Sequence, residues 1–419
     1  LRDGYLPPDE AVRVEEYVNF FDYGDAPPEP DGGAPFAVHL ESAPSHFGPG
    51  PGHNLLRVGV QGMEIPASQR PAANVVFLVD VSGSMAQQGK LDLVKYGLRT
   101  LTDSLRPDDT IGVVVYAGRE AVALPPTSVQ HRGAILETIG ELRAGGSTNG
   151  EGGLRAAYDL AAQHFRPDGI NRVVLCSDGD FNVGMTGGPL IDLIEEYRER
   201  DITLSVLGFG RGNINDRDME KLADHGNGNY AYIDGQNEAL RVLQKDLQGT
   251  LQVIAKDVKV QVRFNPEVVE RFRLVGYENR VLAHDDFDDD TVDAAEIGSG
   301  DFITAFMEYA LEDGVDPGQD DRRLATVRLR YKKPNGDRSR LLERNVRVSD
   351  VRPSFDEASA ELRFGAAVAE YAEILRDSKH AEQSSLRDVA RVASEATWSQ
   401  SEDTQEFVTL VRKAAELKR

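Results

Sequence analysis

The run Asn74-Val-Val-Phe-Leu-Val79, closing on Asp80-Val81-Ser82-Gly83-Ser84, limits this chain more than any other stretch. An apolar segment without alternation reads as a parallel strand buried on both faces, because period-two patterning is expected only where one face meets water. Such a strand needs helices above and below it, and the chain supplies them. From residue 74 onward, strand patterns at 111–116, 172–176, 202–208 and 230–233 alternate with helical patterns at 91–105, 132–142, 153–164, 191–198, 217–225 and 238–248. Alternating βα units predict a doubly wound, mostly parallel α/β domain over residues 71–250, of ordinary domain size.

The flanks have a different period. Residues 1–34 hold a proline-led helix start and a Pro/Gly/Asp-rich connector. Strand patterns follow at 36–41 and 55–60, and in the second Leu56, Val58 and Val60 alternate with Arg57 and Gly59, which predicts a half-exposed antiparallel strand. Alternation returns with Val258, Val260, Val262 and Phe264, and with Val327, Leu329 and Tyr331. Pro334-Asn335-Gly336-Asp337 then offers a hairpin turn before a strand at 341–348. Two strands alone are marginal. The expectation is therefore one antiparallel β domain, 35–70 plus 251–350, into which the Rossmann-like α/β domain is inserted. Helical patterns at 361–376, 385–395 and 403–417 make 351–419 a C-terminal helical region.

In open α/β sheets, ligands sit beyond the carboxyl ends of the strands. Asp80, Ser82 and Ser84 place a carboxylate and two hydroxyls there, hard oxygen donors suited to Mg²⁺ rather than to zinc or copper. This Asp-x-Ser-x-Ser pattern resembles the metal-ion-dependent adhesion site of von Willebrand factor type A domains. The resemblance implies a Thr from a second loop and an Asp from a third, matched here by Thr148 in Gly145-Gly-Ser-Thr-Asn149 and by Asp178 at the end of Val173-Val-Leu-Cys-Ser-Asp178. It also implies that Mg²⁺, with Ca²⁺ or Mn²⁺ as alternatives, is held by Asp80, Ser82, Ser84, Thr148 and Asp178, and that a partner's Glu or Asp completes the coordination. The competing readings are a loop whose Asp and Ser residues cap helices and turns, and a site that only stabilises the fold. Val12 to Phe21, Asp293 to Gly300 and Phe364 to Ala369 extend the resemblance to bacterial proteins of YfbK-like architecture. Proteins of that kind imply a cell-envelope or extracellular setting.

Other function classes fit poorly. Seventy Asp and Glu against 47 Lys and Arg give a formal charge of -23, which disfavours nucleic acid and an anionic membrane surface. No apolar stretch reaches the roughly 20 residues that span a bilayer, so direct membrane insertion is not expected. The single Cys176 lies inside an apolar strand and reads as a structural thiol. An aspartate phosphotransferase would want a second acid where Ser82 stands, and a hydroxyl is a poor general acid near neutral pH. No Gly-x-Ser-x-Gly, His-Glu-x-x-His or Gly-Lys-Ser/Thr motif occurs. The acidic run Asp285-Asp286-Phe287-Asp288-Asp289-Asp290 suggests either a solvated loop or a loose Ca²⁺ site. The expectation is a noncatalytic, metal-dependent protein-binding module for adhesion or assembly. Its alternatives are a scaffold or regulatory subunit with a structural metal site, as in some chelatase complexes, and a phosphotransferase-like hydrolase.

Overall fold

The computed structural model describes the chain apart from residues 2–3, 30–31, 49–51, 148–149, 180–187, 211–215, 247–251, 278–283, 291, 293, 335, 337, 397–400 and 419. It divides into two compact units: Leu1–Met63 with Ala255–Ala294 and Phe302–Arg419, and Glu64–Ile254 with Ala295–Asp301.

The first unit begins with helix α1 (Val14–Asn19) and strands β1 (Phe36–Pro44) and β2 (His53–Gly62), and continues with β9 (Val253–Phe264), β10 (Val269–Val275), β12 (Phe302–Leu311), β13 (Arg323–Lys332) and β14 (Ser339–Arg347). Antiparallel pairing gives one sheet in the order β1-β2-β12-β10, and β13 pairs with both β9 and β14. Edge-to-face contacts of Phe36 on Tyr331, at 5.4 Å, join the two sheets. Helices α8 (Ala360–Leu375), α9 (Leu386–Glu395) and α10 (Glu402–Leu417) close the unit. Their apolar faces share one core with Val14, Val18 and Phe21 of the N-terminal segment and with Leu55 and Phe306 of the sheet. Each helix starts on a serine, Ser359, Ser385 and Ser401, whose hydroxyl accepts the backbone N–H three residues on.

Strand β2 is buried along nearly its whole length, not half-exposed. The reason lies in the connector: Asp25 accepts two hydrogen bonds from Arg57, at 3.0 and 2.6 Å, and Tyr23 lies under the same guanidinium at 4.9 Å. A charged residue in an alternating strand therefore faces a partner from residues 1–34 instead of water. In β9 the alternation also misplaces its faces, since Val260 is 40% exposed while Lys259 is buried. Lys259 donates to the carbonyls of Asp286 and Asp289, at 2.9 and 2.6 Å.

A second buried polar group sits where α8 meets its sheet. Arg273 on β10 reaches Glu308 on β12 at 2.5 Å and Glu373 on α8 at 3.5 Å, and Arg376 bonds Glu373 at 2.8 Å. Glu370, one turn earlier, is 4% exposed. Burial pushes its carboxyl up to about 7, opposed by a hydrogen bond to Ser384 and the charge of Arg273 and aided by the charges of Glu308 and Glu373. Among the described residues, Oε1 of Glu370 and Oε2 of Glu373 have no hydrogen-bond partner.

The second unit holds β3 (Ala73–Asp80), β4 (Thr110–Tyr116), β5 (Glu120–Ser128), β6 (Ile170–Ser177), β7 (Thr203–Phe209) and β8 (Tyr230–Ile233), in the sheet order β5-β4-β3-β6-β7-β8. All neighbours run parallel except β5, which pairs antiparallel with β4 at the edge. The short strand β11 (Ala295–Gly298) belongs to the same unit. Helices α2 (Lys90–Ser104), α3 (Arg132–Glu141), α4 (Gly150–Gln163), α5 (Gly188–Arg198), α6 (Asp216–His225) and α7 (Gln236–Leu240) follow the strands, and α7 continues as a π-helical turn over Arg241–Asp246. Val75, Phe77 and Val79 of β3 pack with residues of α2, α3 and α7, while Val76 and Leu78 pack with residues of α4, α5 and α6. Both faces of β3 are thus covered, as its unbroken apolar run predicts. The doubly wound sheet, separate antiparallel sheets and C-terminal helices all follow the expected fold class.

Candidate functional site

Central strand β3 ends at Asp80, flanked by the ends of β4 and β6. Parallel pairing aligns three carboxyl termini at one edge, so polar residues placed just past the apolar runs gather there. Asp80 is fully buried. Its Oδ1 accepts the backbone N–H of Ser82 at 2.8 Å, and its Oδ2 accepts the hydroxyls of Tyr116 at 3.2 Å and Ser177 at 3.3 Å. Burial pushes the Asp80 carboxyl above the usual carboxylate range, and the charge of Asp178 adds to the rise, against the lowering effect of the Ser82 and Tyr116 hydrogen bonds. Burial and the adjacent Asp80 likewise drive the Tyr116 hydroxyl far up, so it stays a donor.

The turn after β3 brings the Ser82 and Ser84 hydroxyls into a mutual hydrogen bond at 3.0 Å. A second loop lies against it: Gly145 N–H donates to the Val81 carbonyl at 2.7 Å, and Gly83 N–H donates to the Gly146 carbonyl at 3.1 Å. Thr148 itself falls outside the described residues. From β6, Ser177 and Asp178 complete the cluster, with Asp178 fully buried at its side chain. The structure therefore gathers Asp80, Ser82, Ser84 and Asp178 at one end of the sheet, with the second loop hydrogen-bonded beside them.

The donor set fits a hard cation. Adjacent ligands of an octahedral Mg²⁺ with bonds of about 2.05 Å lie about 2.9 Å apart, close to the serine separation found here. Ser82 and Ser84 would supply direct hydroxyl donors. Both Asp80 oxygens already accept hydrogen bonds, which suits that carboxylate to holding the hydroxyl and water donors around an ion. Among the described residues, no group of three or more His, Cys, Asp or Glu side chains is placed to hold a metal, so an ion at this edge would depend on hydroxyl oxygens.

Lys90 enters this cluster without having been expected. The first residue of α2, it places Nζ 2.8 Å from Asp178 Oδ2, with 13% of its side chain exposed. A lysine six residues past the Ser-x-Ser pair is visible in the sequence, but nothing in its periodicity says that it turns back toward a strand 88 residues away. Tyr116 and Ser177 were also missed as partners of Asp80. Both end apolar strands beside β3, and that position is the signal that finds them.

The acidic run is held by cations of its own protein. Arg330 bonds Asp290 at 2.8 Å and Asp288 at 3.3 Å, and Arg328 stacks over the buried Phe287 at 4.7 Å. The Ser339 hydroxyl, then Arg330, lowers the Asp290 carboxyl below its ordinary value. The run is thus a latched loop at Asp288 and Asp290; the side chain of Asp285 lies outside the described residues.

Comparisons with known proteins agree with this fold. The family described as von Willebrand factor type A domain matches residues 74–246, that described as Uncharacterized protein YfbK, C-terminal, matches 249–417, and that described as von Willebrand factor matches 1–57. Uncharacterized protein YfbK of Escherichia coli strain K12 is 38% identical, over 99% of this chain and 74% of its own length. The chain belongs to the YfbK family of von Willebrand factor type A domain proteins. A relative of this YfbK-family chain, Uncharacterized protein sll0103 of Synechocystis, is 28% identical over 46% of the chain and 45% of its own length. The solved structure described as von Willebrand factor type A from Catenulispora acidiphila covers 94% of the chain and 91% of its own, at a TM-score of 0.50 and 17% identity, a likeness of fold. Domains of the A type are commonly protein-interaction modules. No described helix of the YfbK-family chain is long and apolar enough to cross a membrane.

Proposed function

We propose that this YfbK-family protein is a noncatalytic adhesion or assembly module that recognises an acidic side chain of a partner protein through a divalent cation, Mg²⁺ first, at the edge of its parallel sheet. The observation that carries this reading is the 3.0 Å approach of the Ser82 and Ser84 hydroxyls above buried Asp80, with Asp178 at the neighbouring strand end. Ser82 and Ser84 bind, Asp80 orients them through the Ser82 amide, and Asp178 contributes negative charge. Thr148 is assigned to the same set from the family pattern. A bound ion supplies an electrophilic position for one carboxylate oxygen. The absence of a second acid two residues after Asp80 supports a noncatalytic role, since the Ser82 hydroxyl is a poor general acid near neutral pH. A cell-envelope setting belongs to the same proposal.

One observation favours a second reading, a scaffold subunit whose loops are held without partner exchange. The Lys90–Asp178 ion pair satisfies one of the two carboxylates from within the chain. Pull-down of envelope proteins in Mg²⁺ and in chelator, with wild type and Ser82→Ala/Ser84→Ala, separates the two. Metal-dependent capture lost in the double variant is the result expected for metal-bridged recognition. Capture that ignores both chelator and substitution refutes it and supports the scaffold.

A further inference from the structure

Lys90 is lodged at Asp178 by more than its charge. Gly89, at φ 70°, turns the chain into α2 and sets Lys90 at the first helical position. The lysine stem then lies along Gly210, where an added Cβ would stand 2.8 Å from both its Cγ and its Cε. Gly210 has φ 112°, a conformation that side chains other than glycine's rarely adopt. The glycine is itself pinned: its N–H donates to the Ile233 carbonyl at 3.1 Å, and its carbonyl accepts the Tyr232 hydroxyl. The stem of Lys90 thus packs against Gly210, just past the end of β7, on its way to Asp178 Oδ2.

We propose that Lys90 is an internal counter-cation that competes with a divalent ion for Asp178 and so sets the concentration at which the site fills. The inference rests on the metal-binding reading above and concerns its regulation. Asp80 and Asp178 together carry two formal negative charges; with Lys90 present the cluster carries one. A dication entering it meets a net charge of -1 instead of the -2 that two free carboxylates would offer, because Nζ repels it in a buried setting. With Lys90 still in place, the filled site carries a net positive charge, which favours an anionic oxygen from the partner.

The test is Mn²⁺ binding to the full chain, read as loss of the free-ion electron paramagnetic resonance signal, for wild type, Lys90→Met and Lys90→Arg. Melting in chelator is measured alongside. Lys90→Met is expected to bind one Mn²⁺ at least tenfold more tightly than wild type, and Lys90→Arg within about threefold of it. The melting temperature of Lys90→Met is expected to fall in chelator and to recover with Mn²⁺, because Asp178 loses the Lys90 cation and gains another. A Lys90→Met variant that melts lower but binds Mn²⁺ no more tightly overturns the role assigned to Lys90, while saturable binding by wild type leaves the metal site standing. Failure of wild type and Lys90→Met alike to bind Mn²⁺ overturns both.

Discussion

Replacing Glu370 by Gln is expected to stabilise the protein at alkaline pH and to leave it nearly unchanged near pH 4. Glu370 projects from α8 into a cluster that also contains Glu308, Glu373, Arg273 and Ser384, and burial is the largest of the effects that raise its carboxyl from 4.5 to about 7. A folded state that holds its proton more tightly than the unfolded chain gains from that group in acid. The contribution is complete below the unfolded value of 4.5 and is lost as pH rises through about 7. At about 1.4 kcal/mol for each tenfold change in proton affinity, ionising Glu370 in place costs on the order of 3 kcal/mol by pH 8. Gln keeps the shape and the neutral charge at every pH, so its stability advantage should grow by roughly 3 kcal/mol between pH 4 and pH 8. Urea unfolding of both proteins at several pH values, followed by far-ultraviolet circular dichroism, measures that difference. Parallel stability curves for the two proteins across this range would refute the argument, since they would mean that Glu370 is ionised at no cost in the folded chain.

Breaking the Arg57–Asp25 pair tests how the N-terminal segment is held. Asp25→Ala leaves a guanidinium 5% exposed without its bidentate partner and should lower unfolding free energy by about 3 kcal/mol, read from the urea midpoint. Gly365→Ala tests the seating of α8, because an added Cβ would stand 2.6 Å from Cζ of buried Phe306; a loss of about 2 kcal/mol is expected by the same measurement, and an unchanged midpoint would mean that the contact gives way freely.

Local pattern was enough for the elements whose burial is uniform. The unbroken apolar runs of β3, β4, β6 and β7 announce strands covered on both faces, and the helices between them announce parallel order, because covering a sheet twice demands that composition. Position then followed from topology: Asp80 and Asp178 end neighbouring parallel strands, so their proximity was legible once the strands were. Strand β5 was not, since Pro125 and Pro126 interrupt it and its residues are largely exposed; at a sheet edge, the missing amides need no partner. Tertiary structure alone decided which charges go inside. Arg57, Lys259 and Glu370 sit among alternating or helical patterns that read as solvent-facing or neutral, and each is buried in the structure. Lys90 meets Asp178 across 88 residues for the same reason. Apolar burial depends on a residue's own side chain and its period. The burial of a charge depends on a partner from elsewhere in the chain, and periodicity carries no record of that partner.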